Sequence, residues 1–389
     1  MSIWTRFPLV SATLVFGLSA LSAPVRAESL ATALGGEILP DWQFEEARQY
    51  DFWLGEWRGN WRGRQEGEFY NEDSGEWTRA WLFTVLDGKA MVEIARGEGP
   101  YKGQPITQGF SIRYYDSKKE RWVMAQNWGG PNSSSGFLDQ LQGFYRHGQI
   151  QLYSGVLDSD GNRSVQRYTF SDFTPKSVRW TNDTTTDSGT TWTAGTILEL
   201  HRTAETASLP AVGAPLPDSP DGTHCDLAEF KQFDFLQGSW EGKAQLDGGK
   251  PVPARLVATG FNNGCSVLSL LRYPFGDTTY KLLQATTYGS KSEMWWVYQL
   301  DNRLETAHQY RLGTMDDEGR LVLNANPDLT IADDFSPPAW ADGIVPEIPT
   351  ERTVWTFMTP ERVKFELQTR VSGGDWHTAS SFDLEKVAN

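Results

Sequence analysis

The feature that most constrains this chain is a stretch that occurs in it twice. Gln49-Tyr50-Asp51-Phe52-Trp53-Leu54-Gly55-Glu56-Trp57-Arg58-Gly59 recurs without a gap as Gln232-Phe233-Asp234-Phe235-Leu236-Gln237-Gly238-Ser239-Trp240-Glu241-Gly242. The Gln, Asp, second Phe, Trp and both Gly positions are identical. A match of that length signals tandem duplication, so one architecture must be present twice. The correspondence continues: Tyr115, Trp122 and Gln126 answer to Tyr288, Trp295 and Gln299 at one constant offset, and Thr174-Pro175 and Trp192 to Thr359-Pro360 and Trp376.

After each Gly-x-Trp the chain becomes short alternating runs broken by turn signals. Residues 80–85 and 90–95 flank the turn Leu86-Asp87-Gly88-Lys89, and 256–259 and 265–271 flank Asn262-Asn263-Gly264. Aromatic residues at 13%, with 37 Gly and 20 Pro, suit short strands joined by tight turns. The expectation is eight to ten antiparallel strands per half, each set preceded by a helical turn that starts near Asp41 or Asp226. The division reads as a signal segment (1–27), a loose arm (28–40), a first barrel (41–204), a Pro-rich linker (205–224) and a second barrel (225–389). The halves differ in loops at 65–77, 129–136 and 324–350. The last reads equally as a lid, an inter-domain strap or a solvated insertion.

Positive charge at Arg6, a mostly apolar run over 8–21 and the ending Val25-Arg26-Ala27 have the form of a secretory signal. That run is shorter than the roughly 20 residues a spanning helix needs, and no later stretch is apolar enough, so no membrane span is expected. The expected location is periplasmic or secreted. Lys and Arg number 35 against 50 Asp and Glu, a formal net charge of −15. Losing the signal removes Arg6 and Arg26 but no acid. So acidic a surface repels phosphate backbones, which argues against nucleic acid as a partner. Cys225 and Cys265 both fall in the second half. In an oxidising compartment they most simply form one disulfide, closing a loop of about 40 residues for roughly 3–4 kcal/mol, with two free thiols as the alternative.

An early Gly-x-Trp after a short helical turn, with a basic residue near the end of the last strand, resembles the lipocalin pattern of the calycin superfamily. Phe233-Asp234-Phe235, Gly238-x-Trp240, Gly264-Cys265 and a late Ser-Gly-x-x-Trp are similar to an uncharacterised family of exported bacterial lipocalin-like domains. The resemblance covers most of each half and implies an all-β fold of two tandem calycin-like antiparallel barrels. Parity agrees with it: Leu198, Leu200 and Arg202 share one face of a strand, as do Phe382, Leu384 and Lys386. Arg202 is therefore expected over Trp57 and Lys386 over Trp240, structural pairs worth about 1 kcal/mol each.

The nitrobindin type, a haem-binding branch of these barrels, has a related Gly-x-Trp-x-Gly opening and a late histidine ligand. Gly55-x-Trp57-x-Gly59 and Gly238-x-Trp240-x-Gly242 fit the opening. His201 and His377 fall on the outward parity, so no cofactor is expected; His377 is the better candidate should a bulge re-aim it. No histidine spacing suits zinc, no Gly-x-Ser-x-Gly elbow is present, and the Gly/Ser stretch 129–136 lacks a phosphate-loop ending and reads as a flexible hairpin loop.

The barrel interior remains as the candidate site. Phe110, Ile112 and Tyr114 lie on one strand and Trp122, Met124 and Gln126 on another; the second half offers Trp295, Val297 and Gln299, with Trp296 and Tyr298 on the opposite face. Tyr114, Trp122, Gln126, Trp295 and Gln299 are the candidate ligand contacts, together with Arg113, which occurs in one half only. Arg113 is out of phase with Ile112, so its inward assignment and that of Gln126 compete. The reading is an exported binding protein for a small apolar or amphipathic molecule, its oligomeric state left open. One alternative is a two-barrel enzyme of hydratase, cyclase or isomerase type. Certain carotenoid hydratases and cyclases share that plan, and buried acids or tyrosines where the barrels meet would mark it. Another is an envelope interaction module, marked by filled barrels and an exposed aromatic patch.

Overall fold

The computed structural model describes residues 29–65, 68–71, 78–97, 107–129, 134, 136, 140–157, 163–212, 225–262, 264–303, 309–325, 351–371 and 374–387. The signal segment, His224, His308, most of the linker and nearly all of the 324–350 insertion lie outside the described residues.

The first half runs β1 (Gly55–Gln65), β2 (Glu68–Asn71), β3 (Thr78–Val85), β4 (Ala90–Gly97), β5 (Thr107–Asp116), β6 (Arg121–Gly129), β7 (Gln140–Arg146), β8 (Gln149–Leu157), β9 (Arg163–Ser171), β10 (Ser177–Thr185) and β11 (Thr193–Ala204). Apart from β2, each strand pairs antiparallel with the next, and β1 pairs with both β3 and β11, which closes the sheet. The short β2 is a spur on the far end of β1. The second half runs β12 (Gly238–Leu246), β13 (Val252–Phe261), β14 (Ser266–Phe275), β15 (Thr278–Gly289), β16 (Met294–Asp301), β17 (Gln309–Met315), β18 (Leu321–Ala325), β19 (Glu351–Thr359), β20 (Arg362–Thr369) and β21 (His377–Lys386). It closes through β12 and β21. The described residues thus form two closed ten-strand barrels.

The repeated motif builds the closed end, or floor, of each barrel. A short helix, α2 (Glu45–Arg48) or α3 (Ala228–Lys231), leads into a tight 3₁₀ turn, whose residues plug the barrel. The indole of Trp57 donates to the Trp53 carbonyl at 2.8 Å, and that of Trp240 to the Leu236 carbonyl at 2.7 Å. The repeated Gln has a role as well: Gln49 accepts from the Trp122 indole and Gln232 from that of Trp295, both at 3.0 Å. Gly59 and Gly242 sit where the last strand crosses closest. A Cβ there would lie 2.2 Å from the Glu199 carbonyl oxygen or 2.0 Å from that of Asp383.

Arg202 lies 4.8 Å over the Trp57 ring and Lys386 5.3 Å over that of Trp240. A second stack repeats near the open ends, Arg167 over Trp192 at 4.0 Å and Arg352 over Trp376 at 4.3 Å. Ten strands enclose a wider interior than eight. Stacked rings take up that width: in the second barrel Phe382, Phe365, Trp355, Phe233 and Trp295 follow one another at 4.6–6.0 Å.

Among the described residues three large apolar clusters hold the molecule together, beside a small one around the Cys225–Cys265 disulfide. Two are the barrel interiors, and the third lies between the barrels. It joins Trp81, Phe83, Phe110, Ile112 and Tyr114 to Phe261, Leu283, Trp296, Tyr298 and Tyr310, with the Phe110 and Phe261 rings 4.6 Å apart. Lys281 pairs with Asp87 across this junction, and Lys89 donates to the Asn302 carbonyl at 2.6 Å.

Two expectations are corrected here. The arm is not loose: α1 (Leu30–Ala33) carries Leu30 and, just after it, Leu34, both fully buried in the inter-barrel cluster, and Leu30 donates its amide to the Pro210 carbonyl at 3.2 Å. Its apolar side chains have a seam to enter that the barrels supply only when docked. In the Gly/Ser stretch, Ser134 and Gly136 are packed rather than free. Ser134 is buried and lies 3.1 Å from the Thr287 hydroxyl, and Gly136, at φ +76°, sits so close to Trp296 that a Cβ would lie 2.6 Å from its ring.

Candidate functional site

Among the described residues, each barrel has one end stopped by its helical turn and no such plug at the other, its open end. At the open end of the second barrel is a cavity of about 240 Å³. One wall is aromatic and aliphatic, formed by Tyr273, Phe365, Phe382, Leu271 and Leu282. The opposite wall is polar. Arg311, buried on β17, pairs with Glu351 of β19 at 3.2 Å, and its Nε donates to Gln299 at 3.2 Å. Gln299 also accepts from Gln284 at 3.3 Å. Nearer the rim, Asp301 accepts from Tyr280 at 3.1 Å and from Arg303 at 3.0 Å, and Arg303 lies 4.8 Å over the Tyr280 ring.

Burial governs the titration of these groups. It pushes the Tyr273 phenol up to about 12 and raises that of Tyr280 further, where the Asp301 carboxylate adds to the effect. Burial lowers Arg311, and Glu351 opposes the shift. Both cations of the cavity face an acid, so their fields are compensated and the cavity carries hydrogen-bonding capacity without strong net charge. Such a chamber suits a compact neutral molecule with one apolar face.

The six candidate contacts do not converge. Gln299 lines the cavity, and Trp295 lies beneath it in the floor of the same barrel. In the first barrel Trp122 is a floor residue, and Gln126 points inward and donates to the Tyr168 hydroxyl at 2.8 Å. Arg113 is inward too: it is buried, paired with Glu93, and lies 5.3 Å from the Tyr50 ring centre. Arg113 and Gln126 are therefore both interior, because β5 and β6 pair Arg113 with Met124 and Ser111 with Gln126. Tyr114, with Phe110 and Ile112, is corrected to the outer face, in the inter-barrel cluster. That face of β5 is covered by the other barrel, so alternation between apolar and polar residues could not mark its inner side.

Tyr273, Tyr280, Asp301, Arg303, Arg311 and Glu351 were missed. Comparing the halves position by position could have found Arg311 and Glu351. Strand register puts Arg311 where the first barrel has Leu141, and Glu351 where it has Gln166. A charge replacing an interior leucine in one copy is a signal of specialised use.

His201 and His377 are exposed, and His147 lies in an exposed turn. An imidazole on the outer surface does not fit an iron held inside the barrel. Among the described residues no group of three or more His, Cys, Asp or Glu side chains is placed to hold a metal ion, and no helix is long and apolar enough to cross a membrane. Cys225 and Cys265 are joined by a disulfide, packed against Phe230 outside the barrel floor.

No protein-family model matches the chain, and no curated protein does. Among solved structures it is similar to a protein of unknown function from the DUF3598 family of Nostoc punctiforme, at 11% identity over 89% of this chain and 100% of that one, with a TM-score of 0.22. It is also similar to a double mutant of the vaccine antigen transferrin binding protein B from Haemophilus parasuis, at 9% identity over 86% of this chain and 76% of that one, with a TM-score of 0.13. Neither likeness carries an argument about what this chain does.

Proposed function

We propose that the protein is an exported binding protein that holds a compact, neutral, amphipathic molecule in the open end of the second barrel. The observation that carries this reading is the cavity of about 240 Å³, with rings on one wall and paired charges on the other. A dry cavity of roughly 150 Å³ accepts benzene, so this one suits a ligand of about ten non-hydrogen atoms. Its ring or short chain would lie against Tyr273 and Phe382, its polar atoms toward Gln299 and Arg311. Export is supported by the form of residues 1–27 and would be checked by finding Glu28 as the first residue of protein recovered from the host. Kinship with the exported lipocalin-like bacterial domains is supported by the Phe-Asp-Phe-x-x-Gly-x-Trp opening and by a cation over the floor Trp in both barrels.

Native mass spectrometry of protein purified gently from its own host tests the reading. A discrete excess mass, released on denaturation and absent from a Leu271→Trp variant whose indole fills the cavity, is the expected result. A bare polypeptide mass, unchanged after incubation with small neutral aromatics and short-chain fatty alcohols, would sink it. The enzyme reading has less support. Tyr114, Tyr298 and Tyr310 do gather where the barrels meet, but at 2%, 0% and 2% exposure they lie inside an apolar cluster. The acid at that junction, Asp87, is tied to Lys281.

A further inference from the structure

The floor of the first barrel gathers polar groups that the open end of the second does not involve. Arg113 is 3% exposed. Its Nη2 pairs with Glu93 of β4, its Nε lies 3.1 Å from the Met124 sulfur, and its guanidinium carbon lies 5.3 Å from the Tyr50 ring centre and 5.5 Å from that of Phe170. Its Nη1 has no partner among the described residues, and neither do the hydroxyl of Tyr50 and the indole nitrogen of Trp53. Both those rings pack on the same Phe170, at 5.3 Å and 5.7 Å. Burial raises the Tyr50 phenol, with Arg113 drawing it down and Glu93 pushing it up, so the hydroxyl stands in the field of that ion pair.

The duplication supplies a control. At the equivalent places the second barrel has Phe233 for Tyr50, Leu236 for Trp53, Ser269 for Glu93 and Thr286 for Arg113. Four polar groups occur together in one floor and are absent together from the other, although both floors keep the Trp–Gln and Trp–cation contacts. Buried donors without acceptors are destabilising and rarely retained. Three are present here, and the second barrel shows that the same floor closes without them.

The groups left over are donors, and Glu93 already compensates the charge of Arg113. A further anion beside Glu93 would be repelled and desolvated together. The occupant that fits must offer oxygen lone pairs and carry no net charge. We propose that the floor of the first barrel is a binding site for one compact neutral oxygen acceptor, held by Arg113 Nη1 and the Tyr50 hydroxyl. An internal water has this chemistry, and so does the carbonyl or hydroxyl end of an amphipathic molecule reaching down the barrel.

High-resolution crystal structures of the protein as purified, and after exhaustive dialysis, test the site and separate its sources. An oxygen peak within about 3.2 Å of both atoms in each crystal identifies water, and extended density before dialysis identifies a ligand end. Either supports the site. A floor without such a peak, in which Arg113 Nη1 and the Tyr50 hydroxyl are turned onto protein acceptors, overturns it. A Tyr50→Phe variant, which imports the residue of the second barrel, gives a second readout. If the hydroxyl holds an acceptor, the melting temperature falls by about 2–4 °C; an unchanged or higher melting temperature counts against the site. Neither test involves the cavity of the second barrel, so the two assignments stand or fall separately.

Discussion

The two barrels share strand count, topology and floor motif, yet bury their distinctive polar groups at opposite ends. The first places Tyr50, Trp53, Glu93 and Arg113 in its floor, where the second has Phe233, Leu236, Ser269 and Thr286. The second places Tyr273, Tyr280, Asp301, Arg311 and Glu351 at its open end. Register and repeat spacing put Gly97, Thr107, Trp128, Leu141 and Gln166 at those positions in the first. What both retain closes the barrel. What differs gives each interior its own chemistry, and the scaffold tolerates a buried arginine at either level provided an acid comes with it.

The largest effect that would sharpen this comparison is in the first floor. Arg113→Met leaves Glu93 in a nearly buried site without its partner, and urea denaturation should show a loss of about 3–5 kcal/mol. Exchanging the pair for the residues of the second barrel, Arg113→Thr with Glu93→Ser, should recover most of that loss. If the double variant is as unstable as the single, the two floors are not interchangeable and the comparison fails.

A smaller contrast is expected between the floor cations. Arg202 stacks closer to its Trp than Lys386 does and is less exposed. Arg202→Ala should lower stability by about 1–2 kcal/mol and Lys386→Ala by less than about 1 kcal/mol. Equal losses would mean that the stack contributes no more in the first barrel than in the second.

The mildest test is a titration. A tyrosine in the unfolded chain ionises near pH 10, whereas burial holds the Tyr273 phenol protonated to about 12. Between those values the unfolded chain has released the proton and the folded one has not, so rising pH favours unfolding. The contribution of Tyr273 is intact below about pH 10 and is lost as pH climbs through about 12. The difference in phenolate absorbance between the protein and Tyr273→Phe should appear only as pH nears about 12; a difference that appears near pH 10 would place Tyr273 in water and open the aromatic wall of the cavity.

Much of this fold was legible in the sequence. Repetition exposed the duplication, and the parity of Leu200 and Arg202, or Leu384 and Lys386, led to the floor stacks, because those strands face solvent on one side. The two faces of β16 were separated correctly, but the inner face of β5 was not legible, and composition alone did not mark which face of β16 is inner. In β16 every residue from Trp295 to Asp301 is buried, since one face lines a barrel and the other meets its neighbour. Periodicity carries no sign when both faces are apolar. The candidate site suffered from the same loss. Gln299 was found because it repeats Gln126, whereas Arg311 was missed because its partner Glu351 lies 40 residues away and only register joins them.

The arm that carries Leu30 and Leu34 has a further consequence, for the order in which the molecule can be completed. Leu30 is anchored by Pro210, which follows the whole first barrel, and it shares its cluster with Phe261 and Tyr310 of the second. A chain emerging amino-terminus first exposes this segment early; Leu86, whose amide donates to the Leu34 carbonyl, follows soon, but Pro210, Phe261 and Tyr310 come much later. Until then the leucine pair and the outer wall of the first barrel lack the part of their cover that the second barrel supplies. The finished fold is in effect latched by the segment that precedes its first barrel.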